Sequence, residues 1–251
     1  MRLRLIRHAT LAIEYSGHHL LVDPMLDDAE TRAAIENTPN QRKNPLVPLP
    51  IPAAQVVEDV EAVLVTHTHS DHWDGSAAEL IRKNLPLFGQ AEDEDKFRQQ
   101  GFSNVQAVAQ PLAWKDIEIS RTGGQHGKGA IGKAMAPVSG FVLRAKGEPT
   151  LYIAGDTIWC SDVETALTGF KPDIVVVNAG AAQFLEGGAI TMTAEDVIET
   201  CRAAGKAQLV AVHMEAINHC LLSRADLAFQ LEAARLSKQV SIPSDGEFVA
   251  L

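Results

Sequence analysis

The run Thr66-His67-Thr68-His69-Ser70-Asp71-His72-Trp73-Asp74-Gly75 follows directly on the apolar stretch Ala62-Val63-Leu64-Val65. A chain that carries it must end a buried strand at a turn crowded with three imidazoles and a carboxylate. Nitrogen and carboxylate donors at that density suit Zn²⁺, Mn²⁺ or Fe²⁺ and are poorly explained by packing. A tight turn can aim His67 and His69 at one ion while Asp71 and His72, on the other flank, reach a second. The competing reading is a solvent-facing polar turn that is rich in histidine. Four side chains cannot saturate two ions, so further ligands are expected at other strand ends.

Three such residues are present. His126 lies in Thr122-Gly123-Gly124-Gln125-His126-Gly127, where glycines let the backbone come close to a metal. Asp156 follows an apolar strand at 151–154, and His213 follows one at 209–212. Taken singly, the aspartate reads as a helix N-cap and each histidine as a surface group. Beside the first motif, all three read as ligands.

The remaining pattern is mixed α and β. Alternation over residues 2–23, with a turn at Gly17, predicts an antiparallel meander at the amino end. Residues 24–55 carry Pro24, Pro39, Pro45, Pro48, Pro50 and Pro52 without periodicity, and a loop of that length is usually functional or disordered. Further strands are expected at 62–66, 85–88, near Val105, and at 117–119, 141–143, 151–153, 174–177 and 209–212. Helices are expected at 76–83, 92–100, 162–167, 193–203 with Thr193 as N-cap, and 223–236 with Ser223 as N-cap. The segment 122–140 holds six of the 18 glycines and reads as no regular element. With no internal repeat, residues 1–251 read as a single domain.

Composition excludes several classes. Charged residues at 22% and aromatics at 5% fit neither a disordered tail protein nor a coiled coil. A net charge of −10 argues against tracking a nucleic-acid backbone, which needs a surplus of Lys and Arg. No apolar stretch approaches the roughly 20 residues that a bilayer requires, so no membrane partner is expected. Cys160, Cys201 and Cys220 form no Cys-x-x-Cys pair, which favours a reducing cytoplasm over a disulfide framework.

The order Asp23, His67-x-His69-x-Asp71-His72, His126, Asp156, His213 resembles the metallo-β-lactamase-fold hydrolase superfamily. His8-Ala9-Thr10 and Leu21-Val22-Asp23-Pro24 further look like the branch that contains L-ascorbate-6-phosphate lactonase. The resemblance implies an α/β protein of the α+β kind, a four-layer αβ/βα sandwich with metals at one edge of two sheets. By similarity, His67, His69 and His126 hold one ion, Asp71, His72 and His213 a second, and Asp156 bridges them. Asp23 then steadies the ligands through hydrogen bonds. Di-zinc β-lactamases place a cysteine where Asp156 stands, which counts against lactam antibiotics as substrates.

Two divalent ions, Zn or Mn with Fe as a further option, sharing a hydroxide make a hydrolase of a small ester, lactone or phosphorylated metabolite. Asp71 has a free oxygen to accept the proton of the attacking water and is the expected catalytic residue. Other classes with this ligand set are a nucleic-acid phosphodiesterase and a di-iron or persulfide oxidoreductase. Flavodiiron relatives carry a glutamate where His69 stands, which favours hydrolysis. Candidates for holding substrate are His219, Lys128 with its neighbour Lys133, and Trp159, with Trp73 and Asn178 noted for their positions. A small-molecule substrate is the expected partner, and the proline-rich loop is a candidate contact in a homo-oligomer.

Overall fold

The computed structural model describes residues 1–250. A first sheet runs in the order β1 (Arg2–Arg7), β2 (Thr10–Tyr15), β3 (His18–Val22), β4 (Ala62–Leu64), β5 (Leu87–Gly89) and β6 (Val105–Ala107). The helices α1 (Ala53–Val57), α2 (Gly75–Leu80) and α3 (Glu94–Gln99) belong to this half of the chain. The second sheet contains β7 (Leu112–Trp114), β8 (Ile117–Thr122), β9 (Gly140–Arg144), β10 (Leu151–Ile153), β11 (Ile174–Asn178), β12 (Gln208–Val212) and β13 (Val240–Ser241), neighbouring one another in that sequence. It is accompanied by α4 (Gly129–Met135), α5 (Ser161–Phe170), α6 (Ala194–Ala204) and α7 (Arg224–Ala233).

Period-two alternation explains the layering, because both faces of the central strands are apolar. Leu64, Ile174, Val176, Val210 and Val212 point into a core shared by the two sheets. Their neighbours Val63 and Val65 face outward onto Val56 of α1, Ala77 of α2 and Phe97 of α3. Val175, Val177, Leu209 and Ala211 face outward onto Val163 of α5, Val197 of α6 and Leu227 of α7. The result is helix, sheet, sheet, helix, the expected four-layer sandwich. Trp73 belongs to the first outer layer, edge-on to Phe97 and Phe102 with its indole N–H on Gln100.

Local signals hold where side chains act on their own backbone. Thr193 caps α6 by accepting from Asp196, and Ser223 caps α7 in the same way. The glycine-rich segment departs from expectation, since residues 129–135 form α4. Gly132 is needed there for closeness rather than for a turn: a Cβ would stand 2.3 Å from the Gly127 carbonyl oxygen. The short β7 and β13 were not foreseen, being too brief to show alternation. No helix among the described residues is long and apolar enough to cross a membrane.

The phenol of Tyr15 on β2 reaches across to the second half of the chain, shared between the carbonyls of Pro149 at 2.8 Å and Leu143 at 3.0 Å. Tyr15→Phe removes this buried link and leaves two carbonyls short of a donor. The expected loss is about 1–2 kcal/mol of unfolding free energy with catalysis unchanged, read from urea denaturation.

Topology also decides where strand ends meet. β1 and β3 each pair antiparallel with β2, and β3 pairs parallel with β4, so these three strands end at one edge. In the other sheet β8 and β10 flank β9 antiparallel, and β10, β11 and β12 run parallel, so their ends share an edge too.

Candidate metal centre

Each expected ligand lies just beyond one of these ends. His67, His69, Asp71 and His72 follow β4, His126 follows β8, Asp156 follows β10 and His213 follows β12. Two residues absent from the expected ligand set join them: His8 directly after β1, and Asn178 closing β11. His8, Asp23 and His213 all adopt the left-handed backbone, with φ of 62°, 44° and 67°. Three non-glycine residues in that region at one site is strain held in place by the surrounding fold. Gly155, beside Asp156, has φ +69° and would put a Cβ 2.4 Å from the Ser139 carbonyl oxygen, so only glycine fits there.

All seven expected ligands converge. His67, His69 and His126 form one group, and Asp71, His72 and His213 form another that also contains His8. Asp156 lies between them. Its Oδ2 is 3.2 Å from His72 Nε2, 3.4 Å from His126 Nε2 and 3.8 Å from His67 Nε2, while its Oδ1 is 3.3 Å from His213 Nε2. Within the groups, His67 Nε2 is 2.9 Å from His69 Nδ1, and the Nε2 atoms of His72 and His213 are 3.2 Å apart. Two nitrogens bound to a tetrahedral ion at 2.0–2.1 Å stand roughly 3.3 Å apart, so these spacings suit a shared cation.

The outer nitrogens test the fit independently. His126 Nδ1 donates to the Ile190 carbonyl at 2.7 Å, which leaves its Nε2 lone pair facing inward. Thr66 donates its hydroxyl to Asp23 Oδ2 at 2.7 Å, so the 3.2 Å contact with His67 Nδ1 must run from the ring N–H to Thr66 Oγ1. His72 Nδ1 lies 2.9 Å from Asp23 Oδ2. Asn178 donates to Asp156 Oδ1 at 2.7 Å and orients that carboxylate. Orientation of this kind is what metal-binding imidazoles and carboxylates require. The donor set therefore fits divalent ions.

Electrostatics separate the two groups. Burial, with His72 close by, pushes His67 well below its ordinary value, and burial lowers His69 as well. Burial also opposes charge on His72, but Asp156, Asp23 and Asp71 outweigh it and push it up to about 10. At His213 burial is outweighed by Asp156, and the imidazole is raised well above its usual range. Asp71 and Asp156 are buried too, yet the surrounding histidines hold both well below the usual carboxylate range.

Above the donors lies a cavity of about 150 Å³ with His69, Asp71, His126 and Asp156 in its lining. Ile35 from the proline-rich loop, Met135 from α4 and Phe184 supply apolar wall, and Ser70 and His219 complete it. Among the described residues, none lining this cavity is Lys or Arg. A larger groove of about 210 Å³ lies along the β1–β3 strands and α1, without any of the donors. His219 is buried, its Nδ1 has no partner, and burial pushes the imidazole down to about 4, so it is neutral near pH 7. Lys128 is exposed just before α4, and Trp159 packs half-buried on the outer core of the second sheet; neither is in the cavity lining.

The proline-rich loop is tied down. The buried Arg7 guanidinium donates to the carbonyls of Met25 at 2.9 Å, Asp27 at 2.8 Å and Val47 at 3.0 Å. Asn218 accepts from Ile35 N at 3.0 Å and from Asn44 at 2.7 Å, and donates to Thr38 at 2.7 Å. These bonds hold Ile35 over the donors.

A two-sheet sandwich with a histidine and aspartate cluster at its strand ends defines a metal-dependent hydrolase of the metallo-β-lactamase fold, and residues 18–214 match the beta-lactamase superfamily domain. Within that superfamily the chain belongs to the UPF0173 metal-dependent hydrolase family. It is 38% identical over 250 residues to the UPF0173 protein YddR of Bacillus subtilis (strain 168), covering 98% of both chains. It is 26% identical over 188 residues to a UPF0173 metal-dependent hydrolase of Sulfurisphaera tokodaii, covering 71% of both. Among solved structures, a possible metal-dependent hydrolase from Veillonella parvula DSM 2008 superposes with a TM-score of 0.96 at 35% identity, over 100% of this chain and 99% of that one. An isothiocyanate hydrolase from Delia radicum gut bacteria superposes with a TM-score of 0.94 at 38% identity, again over 100% and 99%.

Proposed function

We propose that this chain hydrolyses small uncharged electrophiles, with isothiocyanates first and small esters or lactones second, using two divalent ions, Zn or Mn. The observation that carries the reading is the cavity, walled by Ile35, Met135 and Phe184 and without a cationic side chain among the described lining residues. Such a lining grips an apolar substituent and adds no Lys or Arg to hold a phosphate group lying away from the reacting centre. That argues against a phosphorylated metabolite, as the lactonase branch would take, whose phosphate lies away from the bond that is cleaved. The similarity to the isothiocyanate hydrolase supports the first choice.

His67, His69 and His126 would hold one ion and Asp71, His72 and His213 the other, with Asp156, grouped with His67 and His72, between them. When bound, such ions lower the pKa of water and polarise the electrophile. The protein residues do the rest. Asp71 accepts the proton of the attacking water and returns it to the leaving nitrogen or oxygen. His219, neutral and at the cavity wall, donates a hydrogen bond to the substrate heteroatom. Ile35, Met135 and Phe184 hold the substituent and exclude bulk water. For an isothiocyanate, R–N=C=S and water give R–NH₂ and carbonyl sulfide.

The test is a substrate panel on protein loaded with Zn²⁺ or Mn²⁺: phenethyl isothiocyanate, p-nitrophenyl acetate, a δ-lactone and bis-p-nitrophenyl phosphate. The neutral substrates are expected to exceed the phosphodiester by roughly 100-fold in kcat/KM, with the isothiocyanate fastest. Faster cleavage of the phosphodiester than of every neutral substrate would overturn the reading.

A further inference from the structure

His8 is fully buried, yet it is neither among the expected ligands nor part of the cavity wall. Its ring lies on that of His213, with centroids 3.6 Å apart and planes tilted by 39°. Its Nε2 is 3.2 Å from Asp71 Oδ2, and its own carbonyl accepts the backbone N–H of His213 at 2.9 Å. A carboxylate oxygen carries only lone pairs, so the ring nitrogen facing it must bear the hydrogen. His8 Nδ1 is then a bare acceptor, and it is buried with no partner. With the Nε2 hydrogen directed at Asp71, the nitrogen of His8 that faces Asp71 has no lone pair to offer an ion there.

We propose that His8 is a positioning residue for the second ion: its N–H fixes Asp71 Oδ2 and its ring holds the plane of His213, so that both present their donors together. The inference rests on the two-ion reading above. The left-handed backbone at His8 and at His213 is the cost of bringing the two residues face to face. His213 has little other support, since its outer nitrogen meets only the Cys220 sulfur, at 3.6 Å. By contrast His126 is held by a carbonyl and His72 by a carboxylate.

Three variants separate the parts of this role. His8→Gln keeps an N–H at the reach of Nε2, His8→Phe keeps the ring without the N–H, and His8→Asn is too short to reach Asp71. Metal content is measured by elemental analysis across buffered zinc concentrations, and the environment of each ion by the visible spectrum of the cobalt-loaded protein. The wild type is expected to saturate at two ions. His8→Phe and His8→Asn should bind the second ion about 10- to 100-fold more weakly and lose its cobalt bands, with first-ion affinity and metal-free melting temperature little changed. His8→Gln, which restores the N–H but not the ring, should recover part of the second-ion affinity relative to His8→Asn. A wild type holding two ions beside a His8→Phe or His8→Asn protein of unaltered second-ion affinity overturns the inference alone, as does equal weakening of both ions or a His8→Gln protein as weak as His8→Asn. A wild type that saturates at one ion overturns the two-ion reading, and the inference with it.

Discussion

Asp71→Ala is expected to lower kcat by about 10⁴-fold, the upper end of what a positioned proton acceptor contributes. In the proposed mechanism three roles meet at this side chain. Its Oδ2 is 3.4 Å from His213 Nε2 and 3.2 Å from His8 Nε2, and the residue lines the cavity. On the mechanism proposed above, truncation would remove a ligand of the second ion and the base beside the substrate, and it strips His8 of its acceptor. Asp71→Asn separates these effects, because it keeps the volume and one acceptor oxygen but cannot take up a proton. It should retain more metal than Asp71→Ala while remaining nearly as slow, measured by steady-state kinetics alongside elemental analysis. Full turnover in Asp71→Ala would remove the mechanism.

Loading the metal-free protein at pH 7 should release about two protons per chain, because a bound imidazole must be neutral. His72, pushed up to about 10, and His213, raised well above its usual range, carry protons in the metal-free fold. His67 and His69 are lowered and have none to give up. Titration calorimetry in buffers of different ionisation enthalpy counts the protons, and release of none would contradict the charge assignment.

The same groups set the pH dependence of the metal-free fold. For the two raised histidines the contribution is complete below about pH 6.5 and is lost as pH rises, through about 10 for His72. For the depressed Asp71 and Asp156 it is present above about pH 3.8 and lost as pH falls. The metal-free melting temperature should therefore decline from pH 6.5 towards 10. The metal-loaded protein gains about 2.7 kcal/mol for each ion present at 100 times its dissociation constant, so the two melting curves separate as pH rises.

Much of this centre was legible in the residues alone. His67, His69, Asp71 and His72 stand within one turn, and His126, Asp156 and His213 each follow an apolar run, so donor chemistry and strand-end placement were both readable. Thr193 and Ser223 announced α6 and α7 because a cap acts on its own backbone. The helix over residues 129–135 was hidden, since Gly129 and Gly132 read as breakers until the nearby Gly127 carbonyl shows why a side chain is excluded. His8 was hidden for a different reason. It ends an alternating strand as Asp23 does, but only its neighbours in space mark it as part of the site.

What the amino-acid order determined by itself is which groups can bind an ion and on which face of each strand the apolar residues lie. Both follow from side-chain chemistry and a period of two, which are local properties. The packing of two sheets across one core decided the rest: that the ends of β1, β3 and β4 meet those of β8, β10, β11 and β12, that His8 settles on His213, and that Ile35 and Phe184 close over the donors. A strand's alternation says which way its side chains point but not which distant strand will lie beside it. That choice is made by the burial of apolar surface between layers, a property of the whole chain.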